Sequence, residues 1–310
     1  MAQEKILVIK LGALGDFIQA LGPMKSIRAH HPAAHITLMT TPIFKIFGEK
    51  SDYFNEIWFE NTRPKTTNIM GWIAFRKKLL TGNYTRIYDL QNNDRTNFYF
   101  KLFPKSNRPE WVGAAKNASH ENSSPTRIAG HAFDGHKQTL GLAGIENIEI
   151  DNLKWINEDL SAFNLKKPYI LFVPGSAPQH PQKRWPAKYY GELAKQLTTE
   201  KYQIILLGTN AEKEVTDEIA KICPECLNLT GKTSLFQIVA LAQSAAAAIG
   251  NDTGPMHIIA PTQCPSITLF SNHSNPERHA PLGKNVTTIQ KENIENISEE
   301  EILNALKNYI

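Results

Sequence analysis

Short apolar runs alternate with longer amphipathic stretches along most of the chain, and polar turns separate them. The apolar runs predict β-strands at residues 5–10, 35–39, 56–59, 86–90, 169–173, 202–207, 245–249 and 266–270. The amphipathic stretches predict helices at residues 16–30, 69–80, 134–142, 187–200, 211–222, 234–243 and 255–260. The polar segment 105–127 predicts a loop. Strands that alternate with helices form right-handed βαβ units around parallel sheets, so the pattern predicts an α/β protein.

The strand–helix series starts again after residue 160, which indicates two domains. A chain of 310 residues is also long for a single core. We therefore predict two Rossmann-like, doubly wound domains, residues 1–162 and 163–297, that face each other across a ligand cleft. A capping box, Ser298 with Glu301, begins a last helix in residues 298–310. Its apolar stripe is expected to pack back on the first domain.

Composition narrows the class of protein. Hydrophobic residues make up 41% and charged residues 21% of the chain, the proportions of an ordinary soluble globular protein. The sequence has no apolar run of transmembrane length, no secretion signal and only three cysteines, so we expect a cytoplasmic protein. The net charge of +4 suits anionic ligands or an anionic membrane surface, although many proteins with neither partner share it. No nucleic acid partner is expected, because the chain has no dense Lys/Arg run.

The segment 245–257, AAAAIGNDTGPMH, is the most informative motif. An apolar strand ends in a polar cluster, and Gly254 and Pro255 then begin a helix. Proline suits the first helical position, and Asp252 or Thr253 can cap the helix. Free N–H groups and the positive end of the helix dipole favour anions, so the turn predicts a phosphate-bearing ligand.

The first βα turn, ILVIKLGALGD, contains Gly12 and Gly15, followed by Asp16. Its glycines do not match the dinucleotide pattern G-x-G-x-x-G. Asp16 has two interpretations. Spacing alone favours an N-cap of the following helix, whereas a carboxylate at the end of the first strand would face the cleft as a general base.

Other polar side chains suit an anionic ligand, each with an ordinary alternative. In PGSAPQHPQKRWP, Ser176 lies in a turn after a strand, and Lys183 and Arg184 precede a helix. Two cations there suit a diphosphate, or they belong to a solvated basic loop above a packed tryptophan. Glu212 follows another strand and either contacts a ribose or is a first-turn glutamate. His257 either donates a hydrogen bond to the ligand or packs half-buried.

Several familiar motifs are incomplete. Gly231 and Lys232 resemble the end of a Walker A loop, but Cys226 stands where that motif needs glycine. Cys223 and Cys226 have the spacing of a metal site, but Cys264 is the only further cysteine. No Asp-x-Asp motif is present to hold a divalent ion. We therefore expect neither a metal nor a cofactor.

Taken together, these segments resemble the lipopolysaccharide heptosyltransferases of glycosyltransferase family 9, which are inverting enzymes of the two-domain GT-B fold. The resemblance rests on IKLGALGD, PGSAPQHPQKRWPAKYYGELA, LLGTNAEKE, NLTGKTSLFQIVALAQSAAAAIGNDTGPMHIIA and SITLFSNHSNPERHAPLG. It is continuous from about residue 173 to residue 283 and patchy before that. Position 255 is proline, where leucine is common in the family.

The resemblance implies roles for the candidate residues. Asp16 corresponds to the general base that deprotonates the acceptor hydroxyl, with Gly12 and Gly15 beside it on the acceptor side. Lys183 corresponds to the basic residue near the donor diphosphate, and Glu212 to the acidic residue that contacts the nucleoside.

The resemblance also assigns the donor-binding turn. Thr253 and Gly254 would offer backbone N–H groups to the diphosphate, and Asp252 would contact the heptose. His257 and Ser176 complete the expected donor side.

The implied donor is ADP-heptose, and the implied acceptor is the lipopolysaccharide core carried by lipid A. A lipid-borne acceptor also implies peripheral contact with the inner face of the inner membrane. Two alternatives stay open: a glycosyltransferase of the same fold that uses another nucleotide sugar, and a non-catalytic nucleotide-sugar-binding protein. An epimerase of this fold would need further acid/base residues, which the sequence does not identify.

Overall fold

The computed structural model describes residues 3–59, 64–65, 67–177 and 179–310. The chain divides into two compact units, Met1–Asp151 and Asn152–Ile310. This division falls earlier than the expected boundary after residue 162. The reason is that the segment after Asp151 is bound to the second unit, where Gln243 Nε2 donates to the carbonyl oxygens of Leu153 and Ile156 at 3.1 and 3.2 Å.

The first unit is built on a six-stranded parallel sheet. Its strands are β1 (Lys5–Ile9), β2 (His35–Thr40), β3 (Glu56–Phe59), β4 (Arg86–Asp89), β5 (Glu110–Gly113) and β6 (His120–Glu121). Its helices are α1 (Leu14–His30), α2 (Lys45–Lys50), α3 (Ile69–Thr81), α4 (Asp94–Lys101), α5 (Thr126–Ala129) and α6 (Ala132–Gly141). The strand order β3-β2-β1-β4-β5-β6 is that of a Rossmann-like sheet, with the topological switch between β1 and β4.

The second unit repeats this topology with a second parallel sheet. Its strands are β7 (Tyr169–Val173), β8 (Gln203–Leu206), β9 (Leu227–Asn228), β10 (Ala247–Asn251), β11 (Ser266–Ser271) and β12 (Val286–Lys291). Its helices are α7 (Ala187–Thr199), α8 (Lys213–Ile222), α9 (Leu235–Ala242), α10 (Gly254–Ile259), α11 (Pro276–His279) and α12 (Glu299–Leu306). The order β12-β11-β10-β7-β8-β9 puts the switch between β7 and β10. The prediction of two Rossmann-like α/β domains is confirmed.

The central strands β1 and β7 are apolar, because helices cover both faces of a parallel sheet. Ile6, Leu7, Val8 and Ile9 of β1 are completely buried, and all five residues of β7 are buried. Within the described residues, no helix is both long enough and apolar enough to cross a membrane.

The prediction of a loop at residues 105–127 is wrong, because this segment contains β5 and β6 and the start of α5. Trp111 and Val112 of β5 are completely buried, but an apolar run of two residues is too short to predict a strand. β12 was missed for a related reason. Its sequence, VTTIQK, is mostly polar because β12 is an edge strand with no completely buried residue.

The last helix begins as predicted but packs elsewhere. Ser298 Oγ accepts the N–H of Glu301, and the Glu301 carboxylate accepts the N–H of Ser298, which completes the capping box. Ile302 and Leu306 of α12 are buried in the core of the second unit, together with residues of α7 and β11. The apolar stripe expected to pack on the first domain is therefore taken up by the second unit.

Candidate functional site

The turn predicted to bind the donor, residues 252–257, lies at the topological switch of the second unit, directly after β10. We call it the donor-side turn. Lys183, from the loop that follows β7, reaches this turn, where its Nζ lies 2.7 Å from Asp252 Oδ2. The two side chains are only 19% and 9% exposed. Ser274 Oγ donates to the same carboxylate oxygen at 2.6 Å. Two residues predicted from separate motifs thus form one ion pair at the carboxyl edge of the sheet, where doubly wound folds bind their ligands.

Asn251, the last residue of β10, organises this turn and was not among the predicted site residues. It is completely buried. Its Oδ1 accepts from the Trp185 N–H and the Tyr190 hydroxyl, both at 3.1 Å, and its Nδ2 donates to the Pro174 carbonyl oxygen at 2.7 Å. One amide therefore joins the loop after β7 to the end of β10. In the sequence, this role of Asn251 is indicated only by its position, as a polar residue at the end of an apolar strand.

The start of α10 differs in part from the prediction. Thr253 occupies the N-cap position with an extended backbone, but its side chain makes no capping hydrogen bond. Because Asp252 is bound to Lys183 and Ser274 instead, the expected side-chain cap is absent. Gly254 is the first helical residue, and His257 lies half-buried in the first turn.

Ser176 fixes the shape of the loop that carries Lys183. The side chain is 1% exposed, and its Oγ donates to the His180 carbonyl oxygen at 2.8 Å. Arg184 Nε donates to the same Oγ at 3.0 Å, and Arg184 Nη2 donates to the Ser176 carbonyl oxygen at 3.1 Å. The O–H donor and one acceptor lone pair of this hydroxyl are thus used inside the loop. Pro178, in the same loop, lies outside the described residues.

Glu212 lies over the carboxyl ends of β7 and β8. Its Oε2 accepts the Thr209 N–H at 2.7 Å and the Thr209 hydroxyl at 2.5 Å, in a capping box at the start of a 3-10 turn. A Cβ at Gly175 would stand 2.3 Å from Glu212 Cγ, so glycine at this position lets the glutamate approach the loop closely. Its other oxygen, Oε1, makes no hydrogen bond to any residue within the described ranges.

Asp16 lies at the carboxyl edge of the first unit, where β1 leads into α1. Because α1 begins at Leu14, Asp16 is the third helical residue and not the N-cap. Its Oδ2 accepts the Ala13 N–H at the long distance of 3.4 Å, and the side chain is exposed. Gly15 lies in the same helical turn. Gly12 has a φ of +139°, a conformation that favours glycine.

A buried ionisable pair, which sequence analysis missed, lies beside Asp16. Lys10 is 4% exposed and its Nζ donates to the Leu90 carbonyl oxygen at 3.1 Å. Burial lowers the pKa of Lys10, against the attraction of Asp16 and Asp89. Asp89 is completely buried at the end of β4, and burial raises its pKa to about 6 although two backbone N–H groups bind its Oδ1. In the sequence, Lys10 is the last residue of a predicted apolar strand. Its position at the end of that strand is the one feature that indicates a role in the site.

The raised pKa of Asp89 predicts a pH-dependent stability. Its ordinary value is 3.8, so between pH 3.8 and about 6 the folded protein binds this proton more tightly than the unfolded chain. The free energy of unfolding therefore falls as pH rises through that window, by about 3 kcal/mol. Asp89→Asn should remove this part of the slope in denaturant titrations at the two ends of the window. Asp94→Asn, an exposed carboxyl on α4, is the matched control. Parallel slopes for D89N and the parent would contradict the assignment.

A known protein family matches most of this chain. The family model described as glycosyltransferase family 9 (heptosyltransferase) matches residues 72–310, well over half of the chain. The chain belongs to glycosyltransferase family 9. The matched residues include all of the second unit and the whole donor-side turn.

Individual family 9 members are similar to this chain to different extents. It is 38% identical over 130 residues to lipooligosaccharide heptosyltransferase 2 of Haemophilus influenzae. That alignment covers 40% of this chain and spans only 37% of the relative. The solved structure of E. coli ADP-heptose lipopolysaccharide heptosyltransferase II matches with a TM-score of 0.75 and 24% identity, covering 98% of each chain. A family 9 structure from Veillonella parvula DSM 2008 matches with a TM-score of 0.82 and 21% identity, covering 100% of this chain and 98% of that one. These structural matches confirm the predicted GT-B fold class.

Proposed function

We propose that this protein is an inverting heptosyltransferase that transfers heptose from ADP-heptose to a sugar hydroxyl of the lipopolysaccharide inner core. The observation that carries the proposal is the Lys183–Asp252 pair at the switch point of the second unit, in a family 9 chain. The relatives' names supply the identity of the sugar, the nucleotide and the acceptor. The site residues supply the chemistry.

On the donor side, Lys183 supplies the positive charge for the diphosphate. The N–H groups of Thr253 and Gly254 follow Asp252 directly at the start of α10 and would donate to the phosphates. Asp252, whose Oδ2 accepts from Lys183 and Ser274, would accept from heptose hydroxyls. Glu212 would accept a hydrogen bond from the nucleoside through Oε1. His257 would donate a hydrogen bond to the phosphates.

Ser176 and Asn251 act differently from the other donor-side residues. Each is buried and hydrogen-bonded within the protein, so we assign each a role in positioning the loop or the turn. This assigns Ser176 a positioning role where the family resemblance implied donor binding.

The transfer step needs one base and one leaving-group stabiliser. Asp16 accepts the proton of the acceptor hydroxyl as its oxygen forms a bond to the anomeric carbon of heptose. The bond from that carbon to the ADP oxygen breaks on the opposite face, which inverts the configuration through an oxocarbenium-like state. ADP leaves with the bonding electrons, and its added negative charge is stabilised by Lys183. Gly12 and Gly15 keep the acceptor side of the turn free of side chains.

The direct test is a calorimetric binding series with ADP, UDP and GDP on the full chain, followed by turnover with ADP-heptose and a heptose-free core acceptor. We expect ADP to bind more tightly than UDP and GDP, and the product to carry one added heptose. Preference for UDP or GDP would point to another nucleotide sugar. ADP-heptose binding without any transfer to core acceptors would point to a non-catalytic binding protein.

A further inference from the structure

The first unit carries an unusual apolar surface on α3. Ile69, Met70 and Ile73 are 70%, 76% and 56% exposed, and among the described residues Met70 and Ile69 are the two most exposed large hydrophobic side chains. Single exposed apolar residues are ordinary, but three within five residues of one helix are not. Because neighbours on a helix face are three or four residues apart, Ile69 and Met70 both lie next to Ile73.

The inner face of α3 is already used for packing. Trp72 and Phe75 pack on the first unit's core, and Leu79 is completely enclosed in it. Phe98 of α4 meets the edge of Trp72 with ring centroids 5.0 Å apart, so α4 contributes to the cover of this inner face. We call Ile69, Met70 and Ile73 the α3 patch. The helix is therefore apolar on two faces, and only one of them is covered by this unit.

The charged side chains of α3 itself are all of one sign. Arg76 and Lys77 follow Ile73 by three and four residues, so they continue the same outer face. The helix sequence, IMGWIAFRKKLLT, contains no aspartate or glutamate. Exposed large apolar side chains next to Lys and Arg are characteristic of helices that lie in the interface of an anionic bilayer.

We propose that the α3 patch docks this protein on an anionic membrane surface. The inference rests on the proposed function, because an acceptor carried by lipid A is presented at such a surface. α3 follows β3, so its first residues lie toward the carboxyl edge of the first unit's sheet, the edge that also carries Asp16. A second copy of the chain fits the patch less well, because a symmetric pair would bring Arg76 and Lys77 of both copies into one interface, where like charges repel.

The test is flotation of the full chain with vesicles, without any donor or acceptor sugar. Vesicles of phosphatidylcholine alone are compared with vesicles containing about one third phosphatidylglycerol. We expect binding to the anionic vesicles that weakens as salt is raised. The variant I69S/M70S/I73S should lower the partition coefficient roughly tenfold or more. The matched control I128S/L142S/I310S changes three exposed apolar residues elsewhere and should bind like the parent.

Further measurements make the result decisive. The thermal unfolding of I69S/M70S/I73S should match that of the parent, because the three side chains face solvent; if this variant fails to fold, Lys77→Glu replaces it. K77E should weaken binding to anionic vesicles and leave binding to neutral ones unchanged. Equal flotation of the parent and the patch variant overturns the proposal. The proposal is also overturned if the parent is a dimer that binds no vesicles and the patch variant is a monomer. Since no sugar nucleotide is present, a wrong donor assignment cannot cause either result.

Discussion

Asp16→Ala should reduce the rate of heptose transfer by a factor of roughly 10² to 10⁴, the usual contribution of a positioned general base. ADP should bind the variant as tightly as the parent, because Asp16 lies in the first unit and the donor residues lie in the second. The fold should also survive. The side chain is exposed and its one hydrogen bond, to the Ala13 N–H, is 3.4 Å long. Single-turnover transfer and ADP calorimetry measure the two effects separately.

Two further variants distinguish a base from a helix-start residue. Asp16→Asn keeps an oxygen that can accept the Ala13 N–H but has almost no capacity to take a proton. If Asp16 acts only at the start of α1, D16N should transfer like the parent; if it is the base, D16N should be as slow as D16A. Asp134→Ala removes an exposed acidic residue from the first turn of α6 in the same unit and should leave transfer unchanged. Parental activity in both Asp16 variants would exclude it as the base.

The fold could be predicted from the sequence because its central strands are almost entirely apolar. β1, β7 and β10 are covered by helices on both faces, so each leaves a continuous hydrophobic run between polar turns. The edge elements carry no such signal. β12 is half-exposed and β5 has two buried apolar residues, so their strand character comes from pairing with neighbours that are distant in sequence.

The candidate site was predictable where a residue type alone suggests chemistry. Lys183 and Asp252 belong to different motifs, 69 positions apart, and the structure joins them in one ion pair. The hydrogen-bond partners of each polar side chain could not be predicted from the sequence. The sequence predicts that Ser176 binds a ligand, and the structure shows its hydroxyl donating to His180 and accepting from Arg184. Asn251 looked like one polar turn residue among several, yet its amide joins two loops.

The Lys183–Asp252 pair leads to the second large prediction. Lys183→Met should lower the transfer rate by roughly 10² to 10³, since the departing diphosphate loses the cation that stabilises it. ADP binding should weaken as well, because Asp252, only 9% exposed, would face the diphosphate without its counter-charge. Lys183→Arg should retain most of the ADP affinity. Lys188→Met removes an exposed cation of α7 away from the turn and should change neither quantity.

Asp252→Asn shows which partner of the pair acts on the diphosphate. In this variant the Lys183 ammonium no longer has a carboxylate 2.7 Å away and is left to the ligand. ADP carries no heptose, so it should bind D252N at least as tightly as the parent, while transfer from ADP-heptose falls because the heptose contact is lost. K183M should therefore weaken ADP binding, whereas D252N should leave it unchanged or tighten it. If both weaken ADP equally, the ion pair only holds the turn together, and Lys183 is a structural residue with no direct part in stabilising the leaving group.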